Sequence, residues 1–434
     1  MYCVKDKVAA FFDKYSMGCN GISVEQSCRM FAEEMKNSLN GKESTLEMIP
    51  TYIEIGKKIP VNKPVIVIDA GGTSLRRAVV RFNSQCEPVI DNYEKYPMPG
   101  TNGEITSDDF FKIIASYLQP VINASDTIAF CFSFTTETLP DKDAKVTMLG
   151  KQIKIKNLVG EILGKRLIKE IGIDKRVIVL NDSVASLLGG AGYPQKGKSF
   201  DDYIGFILGT GTNTCYIEQC KNIGKLLPAE KEGSMIINTE SGGYGKFPRG
   251  NIDREFDLGT IDPGVYLFEK VIGGKYEGNL ILLLIGKAVE DGLFSDYFGH
   301  CLKCIDTLPS ASVDSFIASP FGENVLAKCC QGSNAGDDDR ATLYYLIDFT
   351  YERSAMLIFI NLASIMMKTG KGKNPCSPVC VVVEGSTINN SELLMQKINY
   401  YIKRYLNDRF NIYCKFIKVD NANLIGTAIA GLTN

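Results

Sequence analysis

Apolar residues in this chain come in short runs that stop abruptly on small-residue turns. Val65-Ile66-Val67-Ile68 ends on Asp69-Ala70-Gly71-Gly72-Thr73-Ser74, and a second run from Leu75 to Val80 carries Arg76 and Arg77 near its start. Four β-branched residues in succession predict a buried strand. The layout returns at 204–217, where Ile204 to Leu208 leads into Gly209-Thr210-Gly211 and out through Thr214-Cys215-Tyr216-Ile217. A third apolar run, Val379 to Val383, meets Glu384-Gly385-Ser386. Further strands are expected at 127–134, 177–180 and 411–419. Helical spacing sets in at Val8, Phe11 and Phe12, and again at Val24, Cys28, Phe31 and Met35 with Ser23 as N-cap. More helices are predicted at about 107–118, 158–171, 183–189, 263–273, 278–291, 311–318, 339–368, 391–406 and 424–432. The segment after 83 reads as a loop holding Pro97 and Pro99. Alternating strands and helices in both halves predict two α/β domains with a cleft between them.

The turn at Gly71-Gly72 permits positive φ, a sharp reversal and bare backbone amides, which beside Thr73 and Ser74 suit a phosphate. Asp69, at the end of its strand, is placed to hold a hydrated Mg²⁺. Taken alone, the stretch reads equally well as an ordinary β-hairpin; the second copy at 204–217 favours the phosphate reading.

Composition narrows the class without choosing an activity. The 434 residues are 45 % hydrophobic and 23 % charged with a formal net charge of −2, ordinary for a soluble enzyme and unlike a nucleic-acid binder. Trp is absent and His300 is the single histidine, which disfavours a His-based triad. Among 14 cysteines, the close groupings are Cys301/Cys304, Cys329/Cys330 and Cys376/Cys380, not the paired knuckles of a zinc ribbon. Cys131, Cys215 and Cys414 read as small buried hydrophobes. No secretory signal or apolar run of membrane-spanning length is seen, so a cytoplasmic protein with reduced thiols is expected. Asn123-Ala124-Ser125 therefore lacks the secretory context of a glycosylation site. Gly192 to Ser199 fits the pattern GxxxxGK[ST]. That phosphate loop needs a strand before it and a helix after it; here the order is reversed, and Pro194 removes one amide.

Taken together, these segments resemble the hexokinases, in the fold shared by sugar kinases, actin and heat-shock ATPases. Residues 30–53 resemble the family's N-terminal helix and Met-Leu-Pro segment. Asp69-Ala70-Gly71-Gly72-Thr73-Ser74-Leu75-Arg76 is similar to the first phosphate motif and Leu208 to Tyr216 to the second. Phe130-Cys131-Phe132-Ser133-Phe134 resembles the sugar loop, Leu180-Asn181-Asp182-Ser183 the base motif, and Asn238-Thr239-Glu240-Ser241-Gly242 with Phe268-Glu269-Lys270 the remaining sugar signatures. Glu384-Gly385-Ser386 resembles the adenosine motif. The resemblance covers most of the chain in family order.

It implies an α/β, two-domain actin-like ATPase fold of ribonuclease H-like repeats, with a sugar cleft between a small and a large domain. Residues 1–61 would belong to the large domain, 62–182 form the small one, 183–420 the large one, and 421–434 return to the small one. It also implies an ATP- and Mg²⁺-dependent hexokinase that phosphorylates the 6-hydroxyl of a hexose, glucose first. The alternatives are a kinase for mannose or an N-acetylhexosamine, or a sugar sensor without catalysis. Asp182 would be the base and Arg76 would stabilise the transferring phosphoryl group. Ser133, Lys151, Asn181, Asp182, Asn213, Glu240 and Glu269 would bind sugar. Gly71, Gly72, Thr73, Gly209, Thr210, Gly211, Gly385, Ser386 and Gly426 would face the nucleotide, and Asp69 would hold Mg²⁺ through water. Plainer roles exist: Asp182 as a helix cap, Arg76 as a hairpin ion-pair partner, Glu269 on a solvated helix face, Asn238 as structure. Thr135 replaces the usual Pro after the sugar loop, Gly150 stands where Thr is expected before Lys151, and Ser386 replaces Thr. Gly150 bears on which sugar fits. Partners beyond sugar and ATP, and the oligomeric state, are not indicated.

Overall fold

Both glycine turns join antiparallel strands, and each hairpin seeds a sheet of the same design. The computed structural model describes residues 3–150, 153–192, 197–332 and 336–434. The labelled strands are β1 (Ile49–Pro50), β2 (Val65–Ala70), β3 (Ser74–Phe82), β4 (Pro88–Pro97), β5 (Thr127–Phe132), β6 (Arg176–Leu180), β7 (Asp202–Leu208), β8 (Thr212–Gln219), β9 (Ser234–Asn238), β10 (Val379–Glu384) and β11 (Cys414–Ile417). One sheet has the order β6-β5-β2-β3-β4 and the other β1-β9-β8-β7-β10-β11. In each, three strands form an antiparallel meander, and two parallel strands extend it from the first strand of that meander. The chain thus carries one topology twice, as ribonuclease H-like repeats require.

A helix closes each repeat: α1 (Asp182–Gly192) follows β6, and α4 (Ala422–Thr433) follows β11. These two helices pack on each other between the sheets. Their shared core takes Val65 and Val67 from one sheet and Cys215, Ile236 and Val382 from the other. Ile66 and Ile68 point the opposite way, into a core with the helix Ser107–Leu118. Both faces of β2 are therefore buried, which is why it reads as an unbroken apolar run. The outer face of the second sheet is covered by helices that include α3 (Gly336–Thr369); α2 (Leu267–Ile272) is the short helix carrying Glu269. No helix among the described residues is long and apolar enough to cross a membrane.

The α1–α4 contact is a backbone contact. A Cβ on Gly426 would lie 1.7 Å from the carbonyl oxygen of Ala185, and one on Gly189 would lie 2.3 Å from that of Ala422. This is where the structure places Gly426, assigned from sequence to the nucleotide side.

Most predicted elements are present, but β9 and the helices Asn251–Leu258, Asp296–Leu302 and Val325–Cys329 were not predicted, the helix predicted at 263–273 is confined to Leu267–Ile272, and others differ as well. The segment 88–97 is a strand, not a loop. The helix predicted from about 158 begins at Leu163, and the strand predicted over 411–419 is confined to Cys414–Ile417. Gly71 does not use positive φ; the turn closes with Gly71 N–H donating to Ser74 O at 3.0 Å. Of the GxxxxGK[ST] stretch, 193–196 lie outside the described residues, but α1 precedes it and β7 follows it. The fourteen cysteines are free thiols, with Cys131 and Cys215 buried in strands.

One core carboxyl is out of place energetically. Glu277 in the helix Gly274–Glu290 is 1 % exposed. Its nearest help is Ser354 Oγ, donating at 3.3 Å. Burial, with the charge of Asp314 adding to it, pushes its carboxyl up to about 8. A carboxyl raised on folding loses stability as pH rises from its unfolded value toward its folded one. Glu277→Gln is therefore expected to gain stability over the parent between pH 5 and pH 8, by about 3 kcal/mol. Denaturant titrations at the two pH values measure the difference, and an equal effect at both would refute it.

Candidate functional site

Asn181 and Asp182 sit where β6 gives way to α1, the point at which a parallel strand ends and a helix N-terminus begins. Asn181 Oδ1 accepts from Ser183 N at 2.9 Å and Ser183 Oγ at 2.8 Å. Its carbonyl accepts from Ala185 N at 3.0 Å. Asn181 thus caps α1 and frees most of the Asp182 carboxylate from that duty. Asp182 is hydrogen-bonded by Ser133, from the loop after β5. Burial, opposed by that hydrogen bond and assisted by the charge of Asp69, raises its carboxyl to about 6. A carboxylate poised just below neutral pH is suited to accept a proton.

A chain of amides leads away from Asp182. Asn213 Nδ2, on β8, lies 3.2 Å from Asn181 Oδ1, 2.8 Å from Asn238 Oδ1 and 3.1 Å from Glu240 Oε1. Asn238 Nδ2 donates to the same Glu240 oxygen at 2.7 Å. Glu240 is held at φ 51°, a conformation costly for a residue with a side chain. Burial first, then the charge of Glu47, lifts its carboxyl to about 8, so at neutral pH it offers a donor and an acceptor. Glu269 Oε2 accepts from Thr212 N at 2.9 Å. That contact ties α2 to the second glycine turn and excludes the solvated-face reading of Glu269. A Cβ on Gly211 would lie 2.4 Å from Glu269 Oε2, so a side chain there would displace that carboxylate from Thr212 N.

The glycine turns are held by their carbonyls. Gly209 O accepts from Gly274 N at 2.8 Å and Thr387 Oγ1 at 2.9 Å, and Thr210 O accepts from Lys275 N at 3.0 Å. Gly385, at φ 117°, is packed so that a Cβ would meet Leu208 O at 2.2 Å. Gly209 and Ser386 are thereby brought side by side. On the first turn, Thr73 O accepts from Met98 N at 3.1 Å, and Gly72 sits at the tip.

Asp69 and Arg76 face each other in the β2–β3 register and form an ion pair. Asp69 is 2 % exposed; burial raises its carboxyl, against the pull of Arg76. Glu384, at the end of β10, is likewise raised by burial, with Arg76, Asp69 and Asp182 all within electrostatic reach. The sequence reading passed over Glu384, whose signal was the carboxylate of the adenosine motif itself. It also passed over Glu47, Tyr266 and the hydroxyl of Thr135. Lys151 lies outside the described residues.

Hexokinase family models match residues 16–192 and 203–433. Hexokinase-1 of Homo sapiens is 26 % identical over 433 residues, covering 93 % of this chain and 46 % of that protein. Hexokinase-5 of Oryza sativa subsp. japonica is 28 % identical over 376 residues, covering 79 % of this chain and 72 % of that protein. The chain thus spans about half the length of the Hexokinase-1 relatives it matches. Among solved structures, hexokinase from Schistosoma mansoni complexed with glucose superposes with a TM-score of 0.79 at 22 % identity, covering 99 % of each chain. That likeness shows the two-domain actin-like fold with a cleft between the domains.

Proposed function

Given that this chain belongs to the hexokinase family, we propose that it transfers the γ-phosphoryl group of ATP to the 6-hydroxyl of a hexose, with glucose as the preferred acceptor. The observation that carries this reading is Asp182: a carboxyl raised to about 6 by burial, beside an amide chain that ends at Glu240. A hexose laid along that chain, with its 6-hydroxyl at Asp182, meets an acceptor or donor at each step. Asn181, Asn213, Glu240 and Glu269 bind and orient the sugar, Ser133 joins them from the loop after β5, and Lys151 is assigned to the same role from the family motif. Asp182 takes the hydroxyl proton as the oxygen attacks. Residues 62–182 serve as the small domain and 183–420, with 1–61, as the large one, while 421–434 return to the small sheet. Closure of the two over sugar excludes water as a competing nucleophile.

The buried Asp69 carboxylate has the Arg76 guanidinium and the Cys131 thiol as neighbours; as a single carboxylate it suits a hard cation that keeps its waters, which needs only one or two protein carboxylates. Asp69 would hold Mg²⁺ through water. Gly71 to Thr73, Gly209 to Gly211, Gly385 and Ser386 would line the nucleotide side. Bound Mg²⁺ would neutralise phosphate charge, as would Arg76 once released from Asp69.

Coupled ADP release measured with glucose, mannose, fructose and N-acetylglucosamine tests the reading. Turnover with glucose is expected; none with glucose, mannose or fructose would overturn it, and sugar binding without turnover would point to a sensor. Asp182 accepts a proton only when ionised, so kcat/KM for glucose should fall as pH drops through about 6, tenfold per unit well below it. A profile flat from pH 7 to pH 5 would remove Asp182 from the role of base.

A further inference from the structure

One hydrogen bond joins the sugar loop to the helix that carries Glu269. Thr135 Oγ1 and Tyr266 Oη are 2.9 Å apart, though 131 positions separate them in the chain. Thr135 follows the Ser133-Phe134 loop, and Tyr266 immediately precedes α2. Both side chains are half-buried. Tyr266 is held at φ 51° as the residue before the helix, a region that bulky residues avoid. Thr135 is tied on its other side as well: its carbonyl accepts from Thr147 N at 3.1 Å, Met148 N at 3.3 Å and Thr147 Oγ1 at 3.0 Å. The segment so anchored leads to Gly150 and Lys151.

Tyr266 also marks one end of the site. The carboxyls of Glu240 and Glu269 both act on its hydroxyl, whereas Asp182 stands at the other end of the amide chain. In a pyranose, carbon 6 and carbon 2 lie on opposite sides of the ring. With the 6-hydroxyl at Asp182, as the proposed function has it, carbon 2 falls toward Glu240, Glu269 and Tyr266.

We propose that Thr135 and Tyr266 are a positioning and specificity-determining pair: their hydrogen bond draws the sugar loop against the Glu269 helix and closes the cleft over carbon 2. The pair accepts a hexose with a bare 2-hydroxyl and excludes a 2-acetamido sugar. The inference rests on the hexose-kinase reading, since the direction of the sugar comes from it. Gly150 lies on the segment that Thr135 anchors, where a Cβ would meet the Phe134 ring at 3.4 Å.

The test is steady-state kinetics with glucose and N-acetylglucosamine on the parent, Tyr266→Phe, Thr135→Val, their double variant and Tyr266→Ala. The parent should favour glucose by at least ~100-fold in kcat/KM. Tyr266→Phe and Thr135→Val each remove one hydroxyl and should raise KM for glucose roughly fivefold with kcat nearly unchanged. The double variant should be no worse than either single one, because both delete the same bond. Tyr266→Ala should narrow the preference over N-acetylglucosamine at least tenfold. Equal use of both sugars by the parent would overturn the proposal, as would multiplying effects in the double variant or an unaltered KM in Tyr266→Phe. A parent that binds glucose calorimetrically without releasing ADP refutes the kinase reading alone. The pair is then judged by the glucose and N-acetylglucosamine dissociation constants of the same variants.

Discussion

Asp182→Ala is expected to lower kcat by at least ~10³-fold while the dissociation constant for glucose changes less than about threefold. The split follows from where the carboxylate sits. The proposed sugar contacts are Asn181, Asn213, Glu240 and Glu269; the first three are joined through Asn213 and Asn238, and Glu269 is held separately by Thr212 N, so none of these links needs Asp182. The proton, by contrast, has one well-placed acceptor. The neighbouring carboxyl of Asp69 is engaged by Arg76, and Glu240 at about 8 holds its own proton at neutral pH. Stability should not fall with activity, because the substitution removes one member of a crowd of carboxylates that raise each other. Calorimetry with glucose, a coupled assay and a thermal melt on one preparation separate the three effects. Turnover within tenfold of the parent would refute the assignment of the base.

The second large effect is structural. Gly426→Ala is expected to destabilise the protein by about 3 kcal/mol or more. Helix propensity alone predicts the opposite sign, since alanine is better than glycine inside a helix by about 1 kcal/mol. The contact decides the matter. The new methyl carbon would sit 1.7 Å from a backbone oxygen of α1 and 2.6 Å from the Gly189 nitrogen, neither of which can rotate away as a side chain would. The two helices would have to separate, opening the core between the sheets. Gly286, inside the helix Gly274–Glu290 with open space at its Cβ position, is the matched control. Gly286→Ala should be neutral or stabilising by up to about 1 kcal/mol. Urea titrations of both variants test the pair, and a Gly426→Ala protein as stable as the parent would show that the helices are not in backbone contact.

The repeat was visible in the sequence only in part. The hairpins at 65–80 and 204–217 announced themselves because their first strands are buried on both faces and read as unbroken apolar runs. Asn181-Asp182 was legible through its resemblance to the family's base motif; the same pair also reads as a capping signal, and the structure gives the cap to Asn181. The third strand of the first meander, 88–97, gave no signal: it is the sheet's edge and largely exposed, so selection for an apolar face is weak. The Asp69–Arg76 pair follows from hairpin register, but only once the turn length is known. Asn238, allowed a merely structural role from sequence, holds two of the groups that would touch sugar. The Thr135–Tyr266 contact joins residues with no local pattern between them, and only the replacement of the usual Pro by Thr135 marked the spot.

The crossing of α1 and α4 has a mechanical meaning. If the two halves of the molecule rotate against each other, the place where backbone touches backbone is the fulcrum, and displacement grows with distance from it. Asp182 is the first residue of α1 and lies close to that fulcrum, as does Ser133, which bonds to it; the chain farther along, from Thr135 through Thr147 to Gly150, forms the long arm. A modest swing then carries that segment through several ångströms while the base scarcely shifts, so its aim is set before the substrate arrives. Spin labels across the cleft should report large glucose-dependent distance changes for the long arm, and almost none between the start of α1 and β8. A large change at α1 would place the fulcrum elsewhere.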